Sequence, residues 1–248
     1  MRTLAVIPVF NEAATIREVV QATAPWVDQV IVVDDGSSDD THLQLEGLDA
    51  HLIRLEQNRG KAHALQTGFE HALQLDADFV VTLDGDGQHN PQEIPNLIQA
   101  AQQNPRCIII AARLKARHNA PKLRLFANRF ADFWVSWASG YPVSDSQSGF
   151  RLYPTALLGE IRLDTARERG FVFESEIVIE AASHSFYSVS IPVESIYQTG
   201  RRQSHYKPWT DTWRIVRMIA WRLIRRGLYL QGLFRSLGLL NDPRNRTT

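Results

Sequence analysis

The feature that most constrains the fold is a regular alternation of short β-branched runs and amphipathic helical patterns over residues 1–112. The predicted strands are residues 4–9, 29–33, 51–55, 79–83 and 107–111, and the predicted helices are residues 13–23, 62–74 and 92–102. A repeated strand–helix unit predicts an α/β protein with a parallel sheet and helices on both faces. Ligands of such sheets bind beyond the carboxyl ends of the strands, so we expect the functional site there.

The alternation ends near residue 113. A basic stretch at 113–129 leads into an aromatic helix pattern, and a loop-rich stretch follows at 139–154. Farther along we predict a helix at 173–183, a strand at 187–193, an exposed linker at 200–208 and one long helix at 210–237.

The charge of the chain is divided unevenly although the net charge is zero. Residues 1–200 contain 16 basic and 25 acidic residues, a formal charge of −9, whereas residues 201–248 contain 11 and 2, a charge of +9. We therefore predict a main domain at 1–200 and a basic helical tail at 201–248, which offers a surface for phosphate groups or an anionic membrane.

Composition excludes several classes of protein. The single cysteine, Cys107, cannot form an internal disulfide, which argues against a disulfide-stabilised secreted module. With 44% hydrophobic and 22% charged residues the chain is typical of a globular protein. We expect no transmembrane helix and no signal peptide, because no apolar run is long enough and no cleavage site follows the first one. The eight histidines lack ligand spacing, so we predict no zinc site.

The motif VVDDGSSDDT at 32–41 places Asp34 and Asp35 at the end of the second strand. These carboxylates could accept hydrogen bonds from a nucleobase and from sugar hydroxyls. Alternatively, they form a turn and cap the next helix. The segment alone supports both interpretations equally.

The motif LDGDGQHNP at 83–91 is more specific. Asp84 and Asp86 are two residues apart at a strand end, where both side chains of an extended chain point the same way. Mg²⁺ or Mn²⁺ prefers such oxygen ligands, Gln88 offers another, and Gly85 and Gly87 would let a diphosphate approach. The alternative is a solvated acidic turn. Four acids at two strand ends would repel one another unless a divalent cation intervened, which favours the metal site.

Signatures of other nucleotide and hydrolytic enzymes are missing from the sequence. It contains no G-x-x-x-x-G-K-[ST], H-E-x-x-H or G-x-S-x-G, and its nearest approach to G-x-G-x-x-G carries acids. These absences argue against a kinase, a zinc protease, a serine hydrolase and a dehydrogenase.

Six segments, in order, resemble family 2 glycosyltransferases, and in particular the dolichol-phosphate mannosyltransferase-like branch. They are IPVFNE, VVDDGSSDDT, NRGKAHALQTG, DGDGQH, DSQSGFR and FVFESE, and the resemblance spans roughly residues 4–207. It implies a GT-A fold, a nucleoside-diphosphate sugar donor, a divalent metal and inversion at the anomeric carbon.

The resemblance also implies roles for individual residues. The donor-binding residues would be Pro8, Asn11, Glu12, Asp34, Asp35, Gly60, Lys61 and Arg113. The metal ligands would be Asp84, Asp86 and Gln88, and the catalytic residues Asp84, Asp86, Asp145 and Glu174. Lys61 could equally be a solvated residue of a first helical turn. For Arg113 the alternative is an ordinary surface cation, and we favour the role in the site.

Two of these acids have further alternatives. Asp145 would orient the acceptor, hold a neighbouring arginine, or serve only as a turn residue. Glu174 and Glu176 lie two apart on a predicted helix and diverge by about 200°, so at most one faces the site. We assign Glu174, whose alternative role is to stabilise the helix dipole.

The acceptor determines which groups carry the reaction. A phosphate acceptor is already an anion and needs no protein base, so basic groups matter most, and the resemblance assigns this role to Arg201, Arg202, His205 and Lys207. A sugar hydroxyl would need Asp145 or Glu174 as general base. A nucleotidyltransferase and a non-catalytic sugar-nucleotide binding protein are the alternatives from other classes.

The tail predicts an amphipathic helix. Its arginines, including Arg217, Arg222 and Arg225, lie opposite an apolar side, with Trp213 and Trp221 between them. Such a helix would lie on a membrane surface, or pack on its own domain or on a second copy of the chain. We expect a lipid-phosphate acceptor and peripheral attachment to the cytoplasmic face of a membrane. We expect no nucleic acid partner, and the chain could form a homo-oligomer.

Overall fold

The computed structural model describes residues 1–113, 122–161, 172–193 and 208–246. The strands are β1 (Thr3–Val9), β2 (Gln29–Asp34), β3 (His51–Arg54), β4 (Phe79–Thr82), β5 (Cys107–Ala112), β6 (Arg151–Pro154) and β7 (Tyr187–Pro192). The helices are α1 (Ile16–Thr23), α2 (Lys61–Gln74), α3 (Ile94–Gln103), α4 (Lys122–Ser139), α5 (Thr155–Glu160), α6 (Val172–Ser183), α7 (Pro208–Arg225) and α8 (Leu230–Ser236).

The seven strands form one sheet in the order β3-β2-β1-β4-β6-β5-β7. Strand β1 pairs in parallel with both β2 and β4, so that Val6 lies beside Ile31 on one side and Thr82 on the other. Only β6 is antiparallel to its neighbours, β4 and β5. The predicted mostly parallel sheet is therefore confirmed, and β1, β2, β4 and β5 all end at the same edge.

Each face of the sheet is covered by helices, because successive strand residues point to opposite faces. Leu4 and Val6 of β1 pack in the cluster that also contains side chains of α2, α4, α6 and α7. Ala5 and Ile7 belong to the cluster formed with α1 and α3. The prediction of helices on both faces is confirmed.

Strand and helix boundaries over residues 1–112 are close to the predicted ones, with one clear exception. Helix α1 begins at Ile16 and not at Ala13, because the backbone N–H groups of Thr15 and Ile16 both donate to the carbonyl of Glu12 and form a turn there.

The loop-rich interpretation of residues 139–154 is wrong for its last four residues, which form β6. All four are buried, so the strand has no alternation of apolar and polar residues to reveal it. Helix α5, which follows directly, was not predicted either.

The C-terminal helices pack on the main domain. Val216, Ile219 and Leu223 of α7 are buried, and the last two belong to the same core cluster as residues of α4 and α6. Arg222 forms ion pairs with Glu176 and Glu180 of α6. The apolar side of the predicted tail helix therefore faces its own domain and not a membrane. The domain boundary at residue 200 lies outside the described residues and stays a prediction.

The single long helix predicted at 210–237 is interrupted after Arg225. Gly227, Leu228 and Tyr229 all have positive φ, at 62°, 65° and 43°, which no helix accommodates. The indole N–H of Trp137 donates to the carbonyl oxygen of Leu228 at 3.0 Å and fixes this corner against α4. Within the described part of the chain, no helix is long and apolar enough to cross a membrane.

The corner also depends on close contact between Tyr229 and two glycines. A Cβ added at Gly232 would lie 2.2 Å from Cε1 of Tyr229 and 2.7 Å from the carbonyl oxygen of Trp137. A Cβ at Gly140, at the end of α4, would lie 2.6 Å from the Tyr229 hydroxyl. The ring is thus held in a space that only glycine leaves open.

We expect Gly232→Ala to lower the free energy of unfolding by about 1–3 kcal/mol, because the added methyl overpacks the corner. Chemical denaturation measures this change. Gly159→Ala is the matched control, since a Cβ at Gly159 meets nothing within 4 Å and alanine favours the helix. Equal stability of the two variants would contradict the proposed role of this contact.

Candidate active site at the carboxyl edge of the sheet

The polar motifs identified in the sequence follow four strands that end at one edge. Asn11 and Glu12 follow β1, Asp34 ends β2 and Asp35 follows it, the segment 84–88 follows β4, and Arg113 follows β5. The parallel topology therefore brings most of the predicted donor and metal residues to the same edge. Pro8 lies one residue before the end of β1, where it is buried beside Val33.

The loops after β1 and β2 are joined by hydrogen bonds. Asn11, with φ of 58°, accepts the backbone N–H of Ser38 on its side-chain oxygen at 2.8 Å, and its own N–H donates to the Ser37 hydroxyl at 2.9 Å. The N–H of Glu12 donates to the Thr41 hydroxyl at 2.9 Å. Asn11 and Glu12 thus join the loop after β1 to the loop after β2.

Asp34 behaves as a turn residue. Its side chain is fully buried, and one carboxylate oxygen accepts the backbone N–H of Ser37 at 2.8 Å. The other oxygen lies 3.4 Å from Nε of Arg54. Of the two interpretations left open by the sequence, the structure favours the turn for this residue.

Asp35 holds the start of α2. Its two carboxylate oxygens accept the backbone N–H groups of Arg59 at 2.8 Å and Gly60 at 2.7 Å. The anion at this helix N-terminus is thus a side chain of the protein itself. A donor would contact Asp35 through the remaining lone pairs of these oxygens.

The centre of the candidate site is an ion-paired group of three side chains. The ammonium nitrogen of Lys61, the first residue of α2, lies 2.6 Å from Oδ1 of Asp84 and 2.9 Å from Oε1 of Glu174 in α6. A Cβ at Gly149 would lie 2.8 Å from this ammonium, so the glycine lets its loop pack directly on the group. Lys61 is therefore not a solvated first-turn residue. We call residues 145–149 the acceptor loop, after the role that the family resemblance implies for Asp145.

The two carboxylates determine the pKa of Lys61. Burial disfavours the ammonium, but Asp84 and Glu174 outweigh that effect and raise the Lys61 pKa above its ordinary value. Burial likewise disfavours the Asp84 carboxylate, and Lys61, assisted by other nearby groups, lowers the Asp84 pKa to about 2. Both groups are charged at neutral pH.

Glu174 and Glu176 point in different directions, as the helical spacing predicts. Glu174 faces Lys61, whereas Glu176 pairs with Arg222 of α7. The prediction that only one of them faces the site is confirmed.

Asp86 lies on a turn and not on an extended strand. Strand β4 ends at Thr82, and Gly85 and Asp86 lie in the turn that follows, where the charge of Asp84 acts on the Asp86 carboxylate. Gly85 is required for packing, since a Cβ there would lie 2.6 Å from Cγ1 of Val9. The argument from strand alternation is therefore wrong, and the role of Gly85 in letting a diphosphate approach stays a prediction.

The electrostatics of the turn fit a divalent cation. Burial and the neighbouring charge of Asp84 raise the pKa of Asp86, although the N–H of Gln88 donates to its Oδ1 at 3.0 Å. No group of three His, Cys, Asp or Glu residues suited to a metal occurs in the described ranges. Two carboxylates and an amide oxygen nevertheless match Mg²⁺, which usually completes its coordination with water and substrate phosphates.

His89 binds the backbone of this turn. The backbone N–H of Asp84 donates to its Nδ1 at 3.1 Å, and its ring stacks on Phe150 at 5.3 Å. Burial lowers the pKa of His89, so the ring is neutral and can accept this bond.

Arg113 is held by Asp145. Its backbone N–H and its Nε donate to Oδ2 at 2.8 and 3.2 Å, and Nη2 donates to Oδ1 at 3.1 Å. Asp145, with φ of 52°, thus holds a neighbouring arginine, as one of its predicted alternatives has it. The remaining predicted acceptor residues, Arg201, Arg202, His205 and Lys207, lie outside the described residues.

Sequence reasoning missed two residues that fix the acceptor loop. Asp132 of α4 accepts the backbone N–H groups of Asp145 at 3.1 Å and Ser146 at 2.8 Å. The fully buried Arg151 donates to the carbonyl oxygens of Ser146, Ser148 and Glu174, each at 2.7 Å. The one signal for Asp132 was a single acid in the aromatic segment 130–138. Arg151 stood in a recognised motif without an assigned role.

We expect Lys61→Met to lower the free energy of unfolding by about 3 kcal/mol at pH 7, because two buried or half-buried carboxylates lose their partner. In the wild type, Asp84 contributes fully above its ordinary pKa of 3.8, and this contribution disappears as the pH falls towards about 2. The difference in the free energy of unfolding between the wild type and the variant should therefore become smaller as the pH is lowered from 7 to 3. Denaturation at both pH values measures it.

Arg129→Met is the control for this comparison, since Arg129 is an exposed cation on α4. Its stability should stay close to that of the wild type at both pH values. A Lys61→Met deficit that does not change with pH would contradict an electrostatic origin.

The comparisons with known proteins agree with this architecture. A family model described as glycosyl transferase family 2 matches residues 4–155. The chain is 30% identical over 213 residues to a UDP-N-acetylglucosamine–dolichyl-phosphate N-acetylglucosaminyltransferase from Methanococcus voltae, covering 77% of this chain and 84% of the relative. It is 28% identical over 202 residues to a polyprenol monophosphomannose synthase from Mycolicibacterium smegmatis, covering 77% and 76%.

A solved structure supports the fold. The glucosyl-3-phosphoglycerate synthase from Mycobacterium tuberculosis, in complex with Mn²⁺, UDP-glucose and phosphoglyceric acid, matches with a TM-score of 0.64 and 22% identity. The match covers 91% of this chain and 79% of that one, and it confirms the expected GT-A architecture. Because the family model spans more than half of the sequence and an archaeal relative matches along most of it, the chain belongs to glycosyl transferase family 2.

Proposed function

We propose that the protein transfers a hexose, with inversion at the anomeric carbon, from a nucleoside-diphosphate sugar to a polyprenyl phosphate or another lipid-linked phosphate. Membership of the family supports the transfer of a sugar. The names of the two relatives, which specify a dolichyl phosphate and a polyprenol phosphate sugar, support the class of acceptor.

The observation that favours a phosphate acceptor is that both candidate general bases for a hydroxyl acceptor, Asp145 and Glu174, are paired with cations. Asp145 is bound to the guanidinium of Arg113 through both oxygens. Glu174 is fully buried and paired with Lys61. The carboxylate oxygens that would have to accept the proton of a hydroxyl are therefore already bound to cations. A phosphate acceptor needs no base, so it fits this site better than a sugar hydroxyl.

In the proposed reaction, a phosphate oxygen of the acceptor forms a bond to the anomeric carbon while the bond to the diphosphate oxygen breaks. The electron pair of that bond leaves with the nucleoside diphosphate. We assign Arg113, fixed by Asp145, to the negative charge of the phosphate groups. Lys61 holds Asp84 in position, and Glu174 and Gly149 hold Lys61.

Asp84, Asp86 and Gln88 would hold a Mg²⁺ or Mn²⁺ ion, which when bound would neutralise charge on the departing diphosphate. The raised pKa of Asp86 supports this assignment, since it reflects first the burial of the carboxyl group and then the neighbouring charge of Asp84, and a bound cation would offset both. Lys61 neutralises one carboxylate of the pair only in part, because it is shared with Glu174.

The proposed acceptor also implies where the protein works. A lipid-linked phosphate stays in the membrane, so the enzyme must reach it from the surface. We propose peripheral attachment at the cytoplasmic face, supported by the formal charge of +9 on residues 201–248.

The direct test is to incubate the protein with Mn²⁺, UDP- or GDP-sugars and a short-chain polyprenyl phosphate, and to detect the glycolipid by mass spectrometry. The control acceptor is the corresponding polyprenol, which lacks the phosphate group and whose hydroxyl should not react. Asp86→Asn should lower kcat about 100-fold or more, whereas Asp49→Asn, at an exposed acid, should not.

Three results would contradict the proposal. Transfer to the polyprenol but not to its phosphate would favour a hydroxyl acceptor. Release of pyrophosphate from a nucleoside triphosphate would indicate a nucleotidyltransferase. Product formation that is unaffected by a chelator and by Asp86→Asn would exclude the metal role.

A second prediction separates positioning from base catalysis. With a polyprenyl phosphate acceptor, Asp145→Asn and Glu174→Gln should each lower kcat/KM about ten-fold, because the cation that each holds becomes misplaced, and the shape of the pH–rate profile should not change. Removal of a general base would instead lower kcat/KM about 10²–10⁴-fold. It would also remove the limb of the pH–rate profile that reports the ionisation of that base. Asp132→Asn should behave like Asp145→Asn, since it acts on the same loop.

A further inference from the structure

Helix α4 carries an outward row of aromatic side chains that the core does not use. Phe126, Phe130 and Phe133 recur every three or four residues and are exposed, Phe126 by 63%. The rings of Phe126 and Phe130 stack with centroids 6.2 Å apart. The opposite side of the helix, with Ala131 and Val135, is fully buried.

Helix α7 presents a second outward face next to it. Trp213, Trp221 and Ile224 are exposed, the two tryptophans by 68% and 57%. Arg217 and Arg225 lie on the same face, and the guanidinium of Arg225 covers the Trp221 ring at 4.7 Å. This outward face is not the apolar side that the amphipathic pattern offered for membrane contact. That apolar side, with Val216, Ile219 and Leu223, is buried in the domain.

The two rows belong to one side of the molecule. Val135 of α4 and Leu223 of α7 contribute to the same core cluster, and the two helices pack on each other. Their outward residues therefore point away from the same face of the sheet. We call these residues the aromatic surface: Phe126, Phe130, Phe133, Trp213, Trp221 and Ile224.

We propose that the aromatic surface docks on the headgroup region of an anionic lipid bilayer and that α4, together with the outward face of α7, is the membrane-binding element. This inference rests on the proposed lipid-phosphate acceptor. Rows of large exposed apolar side chains on one side of a molecule commonly mark a binding surface. Tryptophan beside arginine is typical of helices that lie in a membrane interface.

The positive charge beside the aromatic surface favours an anionic bilayer over a second copy of the chain as its partner. A two-fold contact between copies would bring the same surface against itself, so Arg217 and Arg225 would face a surface with equal positive charge. Anionic headgroups would neutralise these arginines instead, which favours binding to a charged membrane. The aromatic rings would insert only to the depth of the headgroups.

This orientation links the membrane to the site through α4. The helix that exposes Phe126 and Phe130 also carries Asp132, which holds Asp145 and Ser146 of the acceptor loop. Asp145 in turn holds Arg113. Docking through α4 would thus fix the lipid surface relative to the cation assigned to the phosphate.

The test is sedimentation of the full chain with vesicles of phosphatidylcholine, with and without phosphatidylglycerol. The wild type should bind the anionic vesicles more tightly. The double variant F126S/F130S should bind at least about ten-fold more weakly, because two large apolar side chains are lost from the interface. Arg217→Gln with Arg225→Gln should remove the preference for phosphatidylglycerol.

Trp26→Ser is the matched control, since Trp26 is 40% exposed, close to the 41% of Phe130, and directly follows α1 on the other face of the sheet. Its vesicle binding should equal that of the wild type. Transfer to a water-soluble short-chain acceptor without vesicles should be normal in F126S/F130S. Failure of the wild type in this vesicle-free assay would count against the proposed function and not against the docking surface.

Two outcomes would overturn the inference. The first is unchanged vesicle binding by F126S/F130S. The second is a concentration-dependent dimer in analytical ultracentrifugation that the double variant loses, while neither protein binds vesicles. That result would make the aromatic surface an interface between copies.

Discussion

The ammonium group of Lys61 is the interaction on which the arrangement of the candidate site depends. It joins the start of α2, the turn after β4 and the start of α6, three segments far apart in the sequence. Isolated buried charges are costly, so each partner stabilises the fold only while the others are present. The same charge keeps Asp84 ionised, which is the state that a metal ligand must have. Stability and the proposed chemistry therefore depend on the same contacts.

The acceptor loop is held by a second set of charged groups. Arg151 binds three carbonyl oxygens, and Asp132 binds two backbone N–H groups, so the loop around Asp145 is fixed from both sides. Fixing a loop in advance removes conformational entropy before the substrates arrive, which favours correct orientation. The cost is the burial of a guanidinium and a carboxylate. Burial indeed raises the pKa of Asp132, although the backbone donors counteract it.

Much of the sheet could be predicted because its strands are apolar runs separated by amphipathic helices. Strand β6 could not, since its four residues contain an arginine whose buried guanidinium is solvated by backbone carbonyl oxygens only in the folded chain. The motifs correctly predicted which edge of the sheet carries the polar residues. They did not predict the individual partners. Asp34 binds its own turn and Asp35 the start of α2, because loop backbone N–H groups compete for the same carboxylate oxygens that a ligand would use.

The C-terminal helix illustrates a more general limit of periodicity. A helical pattern identifies an apolar side but not the environment that buries it, since a protein core and a membrane both remove apolar surface from water. In this chain α4 and α6 occupy the apolar side of α7, and Glu176 and Glu180 bind Arg222 at its edge. What remains outward is a face that combines tryptophan and arginine, which is too polar for a core and too aromatic for an ordinary solvated surface. We therefore propose the outward face of the same helix for membrane contact, and we add α4, whose sequence alone gave no reason to distinguish its outward phenylalanines from core residues.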